Sequence, residues 1–473
     1  MSARFVLSTI VCAALLGASA TSHAESQRFA DGAAVGDSLL EVKVVDALHR
    51  ADGRWLTLGS RVDSKSRETP YLILRTNGGE HAGAATLAPD NGLSWSPRSV
   101  VPAGDGNDVI VLGIEYDHRD FSALSGLFLA RLDADLGVIW SRHLQAPGLW
   151  FENASLRALE DQAPLIVGIV QNNDGGVLDA GDAFVAGVDV ASGDLESPRA
   201  LGTPDGRERA ADAVLTGAGT PALLLEVQRV GDTGLESADG LVTFDAGGSL
   251  ATTRLVGHTP VVGVRAQPLR LMRDGDSWVL AGRRTSLGPN FYYLHRLADD
   301  FTPAATRTLI PFFNAMDVAV RDGNVLLYGE ANGEVFDRGS VLMRLDVDFA
   351  IDLQRRYVTE NQVFPTGAFA FGDNGIFLAL GAMRDEDGFV YESVTRVSAT
   401  DGIGMLCDEG DYDGFHTSSD EPIEAAAWAP VMTALDVQTE VVAATAAVLT
   451  PGEVALCATQ DELMFRHGFE SET

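Results

Sequence analysis

The sequence predicts an all-β protein, a seven-bladed β-propeller of four-stranded antiparallel blades with a small C-terminal appendage. Three observations carry that expectation. A short apolar strand ending at or near a glycine recurs at steps of 47 to 58 residues. A second apolar strand follows each copy at a similar offset, and hairpin turns bound both. Helical 3.6-residue spacing is not found outside the C-terminal part.

The first strand of the repeat appears as Trp55–Gly59, Val109–Gly113, Leu165–Gly168, Trp278–Gly282, Val325–Gly329 and Ile376–Gly381. A further copy, Ala222–Val227, carries Glu226 where the glycine is expected. The second strand recurs as Tyr71–Arg75, Leu127–Leu132, Ala183–Val188, Gly240–Phe244, Phe291–Leu297, Ser340–Leu345 and Tyr391–Val397. Most copies end in an acid and a turn, as at Asp133, Asp189, Asp245 and Asp346. Turns such as Asp52-Gly53, Asp322-Gly323 and Asn374-Gly375 precede most first strands, because glycine supplies the positive φ of tight hairpins. Alternating stretches on either side, such as Leu40–Leu48, Met316–Arg321 and Val138–Leu144, bring each unit to four strands. A lone four-stranded sheet cannot bury two apolar faces; radial packing buries both. The ring must close, so Ser38–Asp46 should lie against the blade containing Ile376–Val397.

The unit, an apolar strand, glycine, loop, second apolar strand, Arg-φ-Asp and turn, resembles the repeats of secreted bacterial propellers of the delta-60 type. The resemblance covers residues 38–402 and implies the fold without naming an activity. The final Phe465-Arg466-His467-Gly468-Phe469-Glu470 is similar to a short tail at the C-termini of some exported proteobacterial proteins.

The chain divides into a signal peptide (1–24), an N-terminal linker (25–37), the propeller (38–402) and a C-terminal segment (403–473). Arg4 precedes the apolar run Phe5–Leu16, and Ser22-His23-Ala24 offers a small-x-small cleavage pattern. The expected location is therefore exported: periplasmic, cell-surface or secreted. Beyond the signal no apolar run is long enough for a transmembrane anchor. The net charge of −33 argues against nucleic acid, whose phosphates require a basic footprint.

Cys407 and Cys457 remain after the signal and are expected to form a disulfide in an oxidising compartment, tying the C-terminal segment to itself. In that segment Glu424–Leu435 reads as a short helix; Thr439–Leu449 and Glu453–Ala458 read as strands around a Pro451-Gly452 turn. Glu409-x-Asp411-x-Asp413-Gly414-x₅-Asp420 follows the oxygen-ligand order of a Ca²⁺ loop, with Glu409, Asp411, Asp413 and Asp420 as candidate metal ligands. It departs from the pattern in Glu at the first position and Asp at the twelfth. A solvated acidic linker is the alternative. Asn172–Gly175 with Asp179 and Asp182 is a weaker acidic turn of the same kind.

Other motifs are incomplete. Asp90-Asn91-Gly92 before Trp95, and Asp135-Leu136-Gly137 before Trp140, approach the Asp-box turns of sialidase-like propellers, with no accompanying arginine triad evident. Gly36-Asp37-Ser38-Leu39 spells an esterase nucleophile block, but Gly104–Asp108 is one residue out of the companion pattern and the chain is strand-rich. The histidines stand singly, without zinc-ligand spacing. No convergent nucleophile, base and orienting group emerges and no cofactor motif appears, so no catalytic residue is assigned. The expected function is a non-catalytic binding module for a protein or glycan partner, with Ca²⁺ the one cofactor suggested. The alternatives are an extracytoplasmic enzyme, a glycan hydrolase or lyase or a quinone-type dehydrogenase with its site at the propeller funnel, and a structural envelope or adhesion component.

Overall fold

A computed structural model describes residues 29–32 and 41–454, apart from 64–66, 90–91, 105, 118–123, 161, 173–180, 204–205, 232–233, 258–264, 286–290, 311–312, 332–339, 358–361, 365–367, 373–374, 385–389, 399–408, 412–415, 419–423, 428, 436, 442–443 and 449–451. The described chain is all β, in seven antiparallel sheets arranged as the blades of a propeller. Blades 1 to 6 each use four consecutive strands, starting with the inner strands Glu41–His49, Ser94–Pro102, Leu149–Arg157, Gly206–Leu215, Arg265–Asp274 and Phe313–Arg321. Blade 7 begins at Gln362–Phe364 and Ala368–Gly372 and continues through Gly375–Arg384 and Val390–Val397. Its fourth strand comes from the other end of the chain. Phe29–Gly32 pairs with Val394–Tyr391, inside the stretch expected to be a linker.

The innermost strands of neighbouring blades touch all the way round and so line a central channel. A separate apolar cluster fills each of the seven gaps between blades. The closing gap holds Val44 and Trp55 against Phe377, Ala379 and Val394, with Trp55 stacked on Phe377 at 5.0 Å. Glu41–His49 therefore does lie against the Ile376–Val397 blade. Arg396 of blade 7 adds a polar tie, donating to the Asn77 carbonyl of blade 1 at 2.6 Å.

The repeating glycine has a packing cause. Gly59, Gly113, Gly168 and Gly282 stand directly across from Tyr71, Phe128, Phe184 and Tyr293 on the third strands. In blade 4 the register puts Leu225, not Glu226, at this position, opposite Gly240. The bulky and small partners have exchanged strands, so the blade that breaks the sequence pattern keeps the pairing. A Cβ on Gly282 would lie 2.2 Å from the ring of Tyr293, whose hydroxyl is fixed on Asp239 at 2.9 Å. Gly282→Ala is expected to destabilise the fold by about 1–3 kcal/mol through overpacking, measured by chemical denaturation.

The acid-ended turns behave as expected. Asp133 Oδ1 accepts from the amides of Asp135 and Gly137, Asp245 Oδ1 from Gly247 and Ser249, and Asp346 Oδ1 from Asp348 and Ala350. Leu136 and Phe349 take left-handed φ values of 68° and 59° in two of these turns, and Phe301 takes 64° in the corresponding turn that starts at Ala298. Each is buried, so apolar burial offsets the backbone cost. Trp140 ties this blade to the next: its Nε1–H donates to the Val190 carbonyl at 3.0 Å.

The C-terminal segment differs most from expectation. Instead of gathering as an appendage on the last blade, it runs backwards around the ring and adds an outer strand to every sheet. Glu409–Asp411 joins blade 6, His416–Ser418 blade 5, Glu424–Ala427 blade 4 and Val431–Ala434 blade 3. Gln438–Val441 joins blade 2, Ala444–Val448 blade 1, and Gly452–Val454 pairs with Phe29–Gly32 in blade 7. The stretch expected as a helix, Glu424–Leu435, thus holds two short strands, Glu424–Ala427 and Val431–Ala434. Its Ala-rich composition suits a helix locally, but the outer edge of each sheet presents N–H and C=O groups open to pairing, and strand addition there wins over local propensity. The stretch Thr439–Leu449 likewise splits into two strands on adjacent blades.

Candidate functional site

The functional candidate lies at the end of the channel where the inner strands of blades 3, 4 and 5 begin. A cavity of about 410 Å³ opens there, within the range of small-molecule sites. Five arginines line it: Arg157 from blade 3, Arg207 and Arg209 from blade 4, and Arg265 and Arg283 from blade 5. Glu152, Asn153 and Ser155 form the blade 3 wall, and Gln267, Pro268 and Leu269 complete the blade 5 wall. Such a concentration of guanidinium groups is a local inversion of charge in a chain carrying −33 overall.

Strand alternation places these groups. Arg207 and Arg209 lie two apart on one inner strand, so both project to the same face, while Glu208 between them turns the other way. Glu208 is buried against Thr203, whose hydroxyl donates to it at 2.6 Å, and burial pushes its carboxyl up to about 7. Asn153 sits where the blade 3 inner strand slips register between Glu152 and Ser155, with φ at 51°. That left-handed conformation is uncommon outside glycine and turns the Asn153 backbone out of the ladder at the cavity wall.

The two walls differ in charge balance. On blade 3, Glu152 accepts from Arg207 at 3.3 Å and from Gln171 at 2.7 Å, while Arg157 is paired with Asp212. On the opposite side Arg209 and Arg265 share one carboxylate, Glu226, at 2.9 and 2.6 Å. Arg283 donates to the neutral Gln267 amide oxygen at 2.6 Å. Three guanidinium groups therefore face one carboxylate among the described side chains. Asp239 lies across the strand pair from Glu226, and burial lifts its carboxyl to about 7 despite the Tyr293 hydroxyl bonded to it. A carboxyl raised that far is only partly ionised near neutral pH and adds less than a full negative charge behind the arginines.

Below the cavity the channel is crossed by a network of inner-strand charges. Asp212 of blade 4 is bonded to Arg157, lies 3.6 Å from Arg270 and accepts the Leu271 amide at 2.8 Å. Arg270 of blade 5 bridges on to Asp317 of blade 6 at 3.1 Å. Asp46 of blade 1 accepts the Val100 amide of blade 2 at 2.9 Å, and burial pushes its carboxyl up to about 6. These residues occupy one structural position. Asp46, Ser99, Ser155, Asp212, Arg270 and Asp317 each follow the register shift in their inner strand. Ser99 repeats the device, its Oγ accepting the Leu156 amide of blade 3 at 2.6 Å.

Sequence reading did not single out these residues. The available signal was a polar residue interrupting an apolar strand, as in Val45-Asp46-Ala47, Ala211-Asp212-Ala213 and Met316-Asp317-Val318. The arginines were invisible as a group because they come from three blades. Of the candidate Ca²⁺ ligands, Glu409 and Asp411 lie in the strand paired with Tyr357–Arg355 of blade 6; Asp413 and Asp420 fall outside the described residues. Cys407 and Cys457 also fall outside them, as do Gly36–Leu39 and the turn at 173–180. Among the described residues no group of three or more His, Cys, Asp or Glu is placed to hold a metal ion, and no helix is long and apolar enough to cross a membrane. His143 is bonded to Glu115, and burial drives the His295 ring down to about 3.

No protein-family model and no curated protein matches the chain. Among solved structures, the chain is similar to a sialidase from Trypanosoma rangeli in complex with 2,3-difluorosialic acid, at 9% identity and a TM-score of 0.38 over 76% of this chain and 54% of that one. The chain thus spans about half the length of the sialidase. It is also similar to a β-1,2-mannobiose phosphorylase from Listeria innocua (12% identity, TM-score 0.28, 78% of this chain and 96% of that one). A third is a xylan β-1,4-xylosidase from Bacillus halodurans (8%, 0.24, 87% and 100%). Likeness this loose bears on neither the site nor its chemistry.

Proposed function

We propose that the chain is an exported propeller that binds, without transforming, an anionic group carried by a protein or glycan partner, and that it does so at the arginine-lined mouth of the channel. The observation that carries this reading is the convergence of Arg157, Arg207, Arg209, Arg265 and Arg283 on one cavity in a strongly acidic chain. Arginine presents planar, fork-shaped donors matched to carboxylate, sulfate and phosphate, and each such charge-assisted bond in a partly enclosed site is worth about 1.5–3 kcal/mol. The reading as a binder rests on the lining groups, which are engaged with one another in ion pairs and hydrogen bonds. Export rests on the N-terminal charge and apolar pattern. The test is a thermal-shift titration with citrate, sulfate and acidic oligosaccharides. Saturable stabilisation is expected, weakened about tenfold or more in Arg265→Ala, where Arg209 still holds Glu226. A panel in which no anion stabilises saturably, or an Arg265→Ala variant that binds as the parent does, would overturn the reading.

A further inference from the structure

The cavity has two chemically distinct walls. Arg209, Arg265 and Arg283 on blades 4 and 5 carry more positive charge than Glu226 neutralises. Glu152, Asn153 and Ser155 on blade 3 offer carboxylate, amide and hydroxyl groups, and the nearby arginines Arg207 and Arg157 are matched there by Glu152 and Asp212. One wall suits an anion. The other suits neutral hydroxyls, since a carboxylate beside an amide and a hydroxyl can accept from and donate to them while repelling a second anion. At about 410 Å³ the cavity is also far larger than one inorganic ion requires. Glu152 is 41% exposed and Arg265 38% exposed at the side chain, so both present groups to a ligand entering from solvent.

Building on the anion-binding reading, we propose that the ligand is an acidic sugar whose carboxylate or sulfate is held by Arg209, Arg265 and Arg283 and whose hydroxyls are held by Glu152, Asn153 and Ser155. The anionic wall selects the charged ring, and the blade 3 wall separates a sugar acid from a simple anion. Glu152 carries the discrimination. Its carboxylate accepts from hydroxyl donors and opposes any ligand with negative charge at both ends. Arg283 has no carboxylate partner among the described side chains, so it is the donor with the most to gain from a ligand anion.

The experiment is calorimetric titration of the full chain with a disaccharide carrying a single uronate, a monosulfated disaccharide, a neutral disaccharide and inorganic sulfate. Either acidic disaccharide is expected to bind at least about tenfold more tightly than the neutral one and than sulfate, and their relative affinities say whether carboxylate or sulfate is preferred. Arg283→Ala should weaken the acidic disaccharide about ten- to hundredfold. Glu152→Ala should weaken the acidic disaccharide while leaving inorganic sulfate as tight or tighter, because it removes a negative charge; Glu152→Gln, which preserves shape, should do the same. Sulfate binding as tightly as the acidic sugars, or Glu152 variants that lose both equally, would overturn the sugar assignment and leave the anion site standing. A chain that binds none of the anions would overturn both readings.

Discussion

Asp212→Ala is expected to cost the folded state about 3–5 kcal/mol, more than any other single substitution in the channel. The carboxylate is almost fully buried and meets three partners from two other blades: Arg157, Arg270 and the Leu271 amide. Its removal leaves the Leu271 N–H without its acceptor and brings two guanidinium groups together without the charge between them. Their mutual repulsion already helps to depress Arg157 below the usual arginine range, second only to burial. Arg270 keeps Asp317, so the strain falls mainly on Arg157 and the blade 3–4 junction. Asp212→Asn keeps an oxygen for Leu271 and should recover part of the loss. Chemical denaturation of the three proteins checks this; an Asp212→Ala variant within about 1 kcal/mol of the parent would show that the network is not a source of stability.

The second large effect is expected from deleting the chain from Glu409 onward. Seven outer edges then lose their partner strands together. The loss is not only of backbone bonds, whose net worth is about 0.5–1.5 kcal/mol each and is offset by the entropy of ordering the segment. Leu435 and Val437 pack on the cluster between blades 2 and 3, Met432 on that between blades 3 and 4, and Ala444 on that between blades 1 and 2. The Leu435 amide also donates to the Pro198 carbonyl at 3.0 Å. Exposed edge strands are templates for pairing between molecules. The truncated protein should therefore unfold at lower temperature and elute from size exclusion as species larger than the parent. A truncated chain that stays the same size as the parent and melts with it would show that the outer strands are dispensable.

The propeller was legible in the sequence because its signals are local. Hairpin glycines, strand alternation and the acid-ended turns each act within a few residues, and repetition multiplies them. Leu225 opposite Gly240 shows the limit: a compensating pair split across two strands reads as a broken repeat until the register is known. The encircling segment was illegible for a different reason. Strands such as Val431–Ala434 are only a few residues long and draw their conformation from an edge hundreds of residues away. Composition there points to a helix, and tertiary pairing overrides it. The cavity was hidden in the same way. Arg209, Arg265 and Arg283 are unremarkable one by one, and only the radial arrangement of blades makes them neighbours.

The pairing of Asp31 with Glu392 sets a constraint on how the molecule comes to exist. A chain is made from its N-terminus, so Phe29–Gly32 emerges long before Val390–Val397, the strand that completes its sheet. Until then blade 1 has no neighbour on one side, and the apolar surface of Val44 and Trp55 faces water. Contacts so distant in sequence close slowly because the loop entropy is lost before the contact forms. The nascent ring is therefore most exposed to misassociation before its last blade has been made.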